Sequence, residues 1–98
     1  MKVVRHLIIR GRVQGIGYRA FVEDEAMRRA IAGWVRNRRD STVEALFSGP
    51  AEVVADMIEV CRRGPPGARV DGIDLRDGSA ADLASHRQGV AFTVLPSA

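Results

Sequence analysis

Residues 7 to 21, LIIRGRVQGIGYRAF, constrain the fold more than any other stretch. An apolar run rich in β-branched residues meets three glycines within seven positions, Gly11, Gly15 and Gly17, and Arg19 stands where a helix can begin. A strand that breaks at glycines and runs into a helix gathers several backbone N–H groups beside the positive helix end. Such a concave nest binds phosphate or carboxylate. Glycine permits φ above zero and lets an anion come close to the backbone. Arg19 would add a fork of donors that fits two phosphate oxygens, with a permanent charge. The glycines follow neither the GxxxxGK[ST] nor the GxGxxG spacing, so the loops with those signatures are excluded. A tight turn beside a solvated arginine accounts for the same letters equally well.

The rest of the chain gives this turn a setting. VVRHLIIRGRV reads as a first strand, with Arg5 and His6 blurring its alternation. From Tyr18 to Ile31 the period becomes helical: Val22, Ala26 and Ala30 recur, joined by Phe21, Met27 and Ile31. Glu23, Asp24 and Glu25 fall in the early turns, where the helix dipole favours acids. GWVRNRR and VEALFSG, joined across DST, form a hairpin. Pro50 opens a second helix with Val54, Met57, Ile58 and Cys61 as its apolar stripe, and RRGPPG ends it. ARVDGIDLRD is a fourth strand, SAADLASHRQG a polar loop, and VAFTVLP a last strand. The order βαββαβ predicts a ferredoxin-like α+β sandwich, with two helices on one face of an antiparallel sheet.

One domain over residues 1–98 is expected, large enough to bury roughly two thirds of its unfolded surface without disulfides. No apolar run approaches the ~20 residues of a membrane span, and MKVVRHLIIRGRV lacks the small-residue cleavage site of a signal peptide. A cytoplasmic protein is expected. Cys61, the lone cysteine, excludes an internal disulfide and a multi-thiolate metal site, and reads as buried filler. The net charge of +3, carried almost wholly by arginines, suits an anionic small molecule and nucleic acid alike.

GRVQGIGYRAF, GWVRN at 33 to 37 and the DSTVE that follows resemble the two signatures of the acylphosphatase family. Ile16 and Tyr18 stand where the family has valine and phenylalanine, and GPPGARVDGI at 64 to 73 resembles the stretch after its second helix. The resemblance spans nearly the whole chain. It implies hydrolysis of acyl phosphates to carboxylate and inorganic phosphate on a ferredoxin-like fold, with no metal and no cofactor. It implies a catalytic pair, Arg19 holding the phosphoryl group and Asn37 positioning the attacking water. The implied cradle is the loop of Gly11, Arg12, Val13, Gln14, Gly15, Ile16, Gly17 and Tyr18. Inorganic phosphate is then product and inhibitor, and a free-standing monomer is expected rather than a piece of a larger carbamoyl-transfer protein.

Plainer readings stand beside these. Outside its motif Asn37 would be a turn or surface residue, and Gln14 either bridges loop carbonyls or is solvated. Trp34 is expected in the core, Tyr18 to pack with its hydroxyl reaching solvent, and His6 and His86 at the surface or an edge. Arg36, Arg38 and Arg39 read as a solvated strand edge. Two departures from the family pattern bear on stability. Ser41 occupies a turn position where glycine is usual, so it is strained if its φ is positive, and Arg29-Ala30 removes the glycine expected at the end of the first helix. The alternative function is a non-catalytic phosphate- or RNA-binding module of the same topology. Base stacking would need aromatics exposed at strand centres. The chain has only five aromatics, with Phe47 and Phe92 isolated on their strands.

Overall fold

In the computed structural model, which describes residues 1–83 and 92–98, the ambiguous alternation of the strands resolves into two covered faces. The elements are β1 (Lys2–Arg12), α1 (Tyr18–Arg28), β2 (Ala32–Asn37), β3 (Val43–Pro50), α2 (Ala51–Arg63), β4 (Arg69–Asp77), α3 (Ala80–Leu83) and β5 (Phe92–Val94). Val3, Leu7 and Ile9 of β1, Val35 of β2, and Val43, Ala45 and Phe47 of β3 point to one side. There they form a core with Val22 and Ala26 of α1 and with Val54, Met57, Ile58 and Cys61 of α2. The alternate residues His6, Trp34, Glu44, Leu46 and Ser48 face the other way, and they too are buried.

The sheet order is β4-β1-β3-β2-β5. β1 pairs antiparallel with β3 and β4, and β2 antiparallel with β3, as a ferredoxin-like sandwich requires. β5 departs from the antiparallel expectation and runs parallel to β2. It lies at the edge opposite β4, so a crossover rather than a hairpin joins the two, and a crossover leaves either direction open. The polar loop expected at 79–89 begins with a single helical turn, α3. The rest of that loop, His86 and the first two residues of the expected last strand lie outside the described residues.

α1 is shorter than its periodicity suggested. The N–H of Ala30 bonds the Met27 carbonyl at 3.1 Å and the N–H of Ile31 bonds the Ala26 carbonyl at 3.0 Å, the paired bonds of a Schellman cap. Ala30 therefore takes the left-handed φ of 53° that glycine usually supplies, and Ile31 turns back into the core. Met27, expected on the apolar stripe, is 58% exposed. The acids at 23 to 25 begin only after the first turn. Pro50 stands one residue before α2 rather than within it.

On the second face Trp34 is buried as expected, while the expectations for His6 and Arg36 are corrected. Trp34 is buried, but away from α1 and α2; its Nε1 donates to the carbonyl of Asp82 in α3 at 2.9 Å. His6 is buried rather than peripheral, with Nε2 2.6 Å from Glu44 Oε2. Arg36 donates to the other oxygen of Glu44 at 2.6 Å and lies 5.1 Å over the Trp34 ring, so it is no solvated edge residue.

Candidate active site

The loop between β1 and α1 is built by its glycines for two different reasons. Gly11 belongs to the sheet: β1 shifts register against β4 between Arg10 and Gly11, and a Cβ on Gly11 would stand 2.1 Å from the Arg69 carbonyl oxygen. Gly15 and Gly17 have φ of 76° and 81°, yet a Cβ on either would meet nothing within 4 Å. They are needed for the left-handed backbone, and the space before them is open. Gly17 caps α1, its carbonyl accepting the first helical bond from the Phe21 N–H at 3.0 Å. The N–H groups of residues 15 to 20 have no acceptor among the described residues. Six successive donors are thus left free beside the positive end of a helix.

Gln14 ties this loop to the β2–β3 hairpin. Its Nε2 donates to the carbonyls of Arg38 at 2.9 Å and of Thr42 at 2.8 Å, so of its two readings the bridging one holds. Arg38 follows Asn37, and the staple brings the end of β2 against the loop. The tail adds a second fastening. Leu95 donates to the Val35 carbonyl and Ala98 to the Asn37 carbonyl, both at 2.9 Å. The Asn37 backbone is therefore gripped from both sides. Its side chain is not: Oδ1 is buried and has no hydrogen-bond partner.

These pieces enclose a cavity of about 370 Å³. Gln14, Gly15 and Gly17 line it from the loop, Arg19 from the first turn of α1, and Asn37 from β2. Arg19 is half-buried and makes no hydrogen bond or ion pair among the described residues, so its guanidinium is free for an anion. Val13, Ala20 and Val94 supply apolar wall, and Glu23 lies one helical turn beyond Arg19. Glu23, Ala20 and Val94 were not among the expected site residues. For Glu23 the signal was available, since residues four apart share a helical face.

Gly11, Arg12, Ile16 and Tyr18 stand outside the cavity lining. Arg12 is exposed at the end of β1, Ile16 packs on the core, and Tyr18 contributes its backbone N–H to the loop's free donors. Contrary to expectation the Tyr18 hydroxyl does not reach solvent: it is buried and donates to the Cys61 carbonyl at 2.7 Å, tying α1 to α2. Burial raises the pKa of the phenol and pushes the Cys61 thiol up to about 12, so neither is a nucleophile at neutral pH.

Among the described residues, no three His, Cys, Asp or Glu side chains stand together to hold a metal ion. No described helix is long and apolar enough to cross a membrane. Tyr18, Trp34, Phe47 and Phe92 are all buried. Phe47 and Phe92, expected to be isolated, pack together at 6.0 Å between ring centroids. The sheet therefore offers no row of exposed rings on which bases could stack.

Residues 5–86 match the family model described as acylphosphatase. The acylphosphatase of Rhodopseudomonas palustris (strain BisB18) is 56% identical over 95 residues, which cover 97% of this chain and 96% of that protein. The acylphosphatase of Bradyrhizobium diazoefficiens is 50% identical over 96 residues, 98% of this chain and 97% of that one. In three dimensions the chain is similar to the crystal structure of acylphosphatase from Bacillus subtilis. The TM-score is 0.82 at 36% sequence identity, over 97% of this chain and 99% of that one. On sequence and fold together, the chain belongs to the acylphosphatase family.

Proposed function

We propose that the protein hydrolyses acyl phosphates to a carboxylate and inorganic phosphate without a metal ion, acting as a monomer, with Arg19 and Asn37 at the reacting centre. The observation that carries this reading is that one cavity is lined by an unpaired arginine, an unpartnered asparagine and four residues with unbonded N–H groups, Gly15, Gly17, Arg19 and Ala20. The relatives' shared name supports the same substrate class.

The chemistry asks for little more. Water oxygen attacks phosphorus, the bond from phosphorus to the acyl oxygen breaks, and its electron pair leaves on a carboxylate. An acid with a pKa of about 4 to 5 departs without a proton donor. The transition state of phosphoryl transfer is loose, so the protein's tasks are to hold the equatorial oxygens, offset their charge and align the water. The loop amides and Arg19 perform the first two. Asn37 performs the third. No protein group holds its amide, so either end can turn to the cavity, and a water there completes an acceptor that the fold leaves bare. The water's proton passes to a phosphoryl oxygen.

Loss of benzoyl phosphate absorbance in EDTA tests the proposal. The wild type should turn over, and phosphate should compete. Arg19→Ala should lose about 10²–10³ in rate, the usual effect of removing one preorganised donor, and should bind phosphate more weakly. Near-normal turnover by that variant would end this reading.

A further inference from the structure

Three acids follow one another on α1, and they meet different fates. Asp24 pairs with Arg28 at 3.4 Å and Glu25 with Arg29 at 2.7 Å, both on the helix surface. Glu23 lines the cavity and has no hydrogen bond or ion pair among the described residues. Arg19, four residues earlier on the same helical face, is its natural partner, yet the two are not paired. An arginine placed before a glutamate at this spacing is the less favourable order for pairing. Both charges are left to whatever enters the cavity.

The phosphoryl group has an assigned place at the loop amides and Arg19. A cavity of about 370 Å³ also has room for part of the acyl group. That group would meet the apolar surfaces of Val13, Ala20 and Val94 and one charge of its own sign or the opposite, the Glu23 carboxylate. We propose that Glu23 is a specificity-determining residue, favouring acyl phosphates whose acyl group carries a cationic centre and disfavouring those whose acyl group carries a second carboxylate. The proposal rests on the acyl phosphate reading above. A half-buried carboxylate a few ångströms from a substituent charge, in a site open to water, shifts binding by roughly fivefold to tenfold per charge.

The test uses three substrates of like shape: benzoyl phosphate, its para-carboxy derivative and its para-trimethylammonio derivative. The ratio of kcat/KM for the cationic over the anionic substrate is compared between wild type, Glu23→Gln and Glu23→Lys, so that the intrinsic reactivities of the anhydrides cancel. The ratio should fall about 25- to 100-fold in Glu23→Gln, since the two substrates respond in opposite senses, fall further in Glu23→Lys, and shrink in the wild type as salt is raised. Benzoyl phosphate should gain severalfold in Glu23→Gln, because the phosphate dianion is then repelled less. A ratio within twofold of wild type in both variants would overturn the assignment. Failure of the wild type to hydrolyse benzoyl phosphate would instead overturn the acyl phosphate reading, and the selectivity with it.

Discussion

Arg36 and Asn37 are consecutive in β2 and face opposite sides of the sheet, and the two sides treat their polar groups in opposite ways. On Arg36's side the Glu44 carboxylate takes bonds from Arg36 and His6, both at 2.6 Å, with Arg38 at 4.0 Å. Three strands contribute, and the charge is satisfied. On Asn37's side an acceptor is buried with nothing to bond. An unsatisfied buried polar group costs about 1–3 kcal/mol. The contrast teaches that the satisfied groups here serve the fold, while the unsatisfied acceptor belongs to a residue that lines the cavity of the proposed site.

The sharpest way to break that comparison is at Asn37. On the proposed role, in which the side chain orients water rather than the anion, Asn37→Ala should lower kcat by about 10²–10³ while phosphate inhibition changes only severalfold. Its melting temperature should equal or exceed that of the wild type, because the orphan acceptor is gone. If phosphate affinity fell as much as turnover, Asn37 would be a binding residue.

Glu44 should behave in the reverse sense. Glu44→Ala leaves His6 and Arg36 without their acceptor and should cost about 1–3 kcal/mol in urea unfolding, with kcat per folded molecule unchanged. Burial by itself would raise the Glu44 pKa, but the hydrogen bonds from His6 and Arg36 outweigh it and hold the carboxyl below its ordinary value. A carboxyl depressed by folding stabilises the protein above its unfolded pKa, and that contribution is lost as pH falls through the folded pKa. Wild-type stability should therefore decline as pH drops below about 4.3, and Glu44→Gln should flatten that part of the curve. A pH dependence identical in the two proteins would show that the cluster holds no net electrostatic stability.

Gln14 joins the two regions, since it holds the hairpin to the loop by donating twice. Gln14→Ala should lower kcat about tenfold through misplacement of Asn37. Gln14→Glu should do worse, because a carboxylate is an acceptor facing two carbonyls. Equal activity in the two variants would mean that the donation is incidental.

Much of the fold was legible because it is written locally. The glycine break before α1, the hairpin, the stripe of α2 and its termination at Gly64 follow from periodicity and turn chemistry within short windows. What lay out of reach depends on partners distant in sequence. His6 blurred the alternation because it is buried on a second face, bonded there to Glu44 beside Trp34, whose indole bonds α3, and no strand pattern announces that its other side will be covered. The parallel direction of β5 is fixed by a crossover. In the site, the glycines and Arg19 suggested an anion cradle from their chemistry, but a tight turn beside a solvated arginine fitted the same letters equally well. Asn37 entered only through the family resemblance, since the bonds that hold its hairpin to the loop come from Gln14, far away in sequence. Glu23 was visible by helical spacing but was absorbed into the helix-start reading.

The smallest predicted effects concern two positions where the sequence already looked uneasy. Ala30 and Ser41 have φ of 53° and 73°, the left-handed region that costs a residue with a Cβ about 1–2 kcal/mol. Glycine removes that cost but adds backbone entropy to the unfolded chain, worth about 0.4–1 kcal/mol. The net gain for Ala30→Gly or Ser41→Gly should be about 0.5–1 kcal/mol, read as a higher urea midpoint at unchanged slope. The two should add, being on separate turns with no shared partner. Activity should be preserved in both. Ala30 caps α1 at the end far from the loop, and at Ser41 the backbone acceptors that Gln14 uses belong to Arg38 and Thr42. If Ser41→Gly gained stability but lost turnover, the strained serine would be helping to hold the hairpin on the loop. The boundary between the satisfied side and the unsatisfied side would then run through that turn rather than across the sheet.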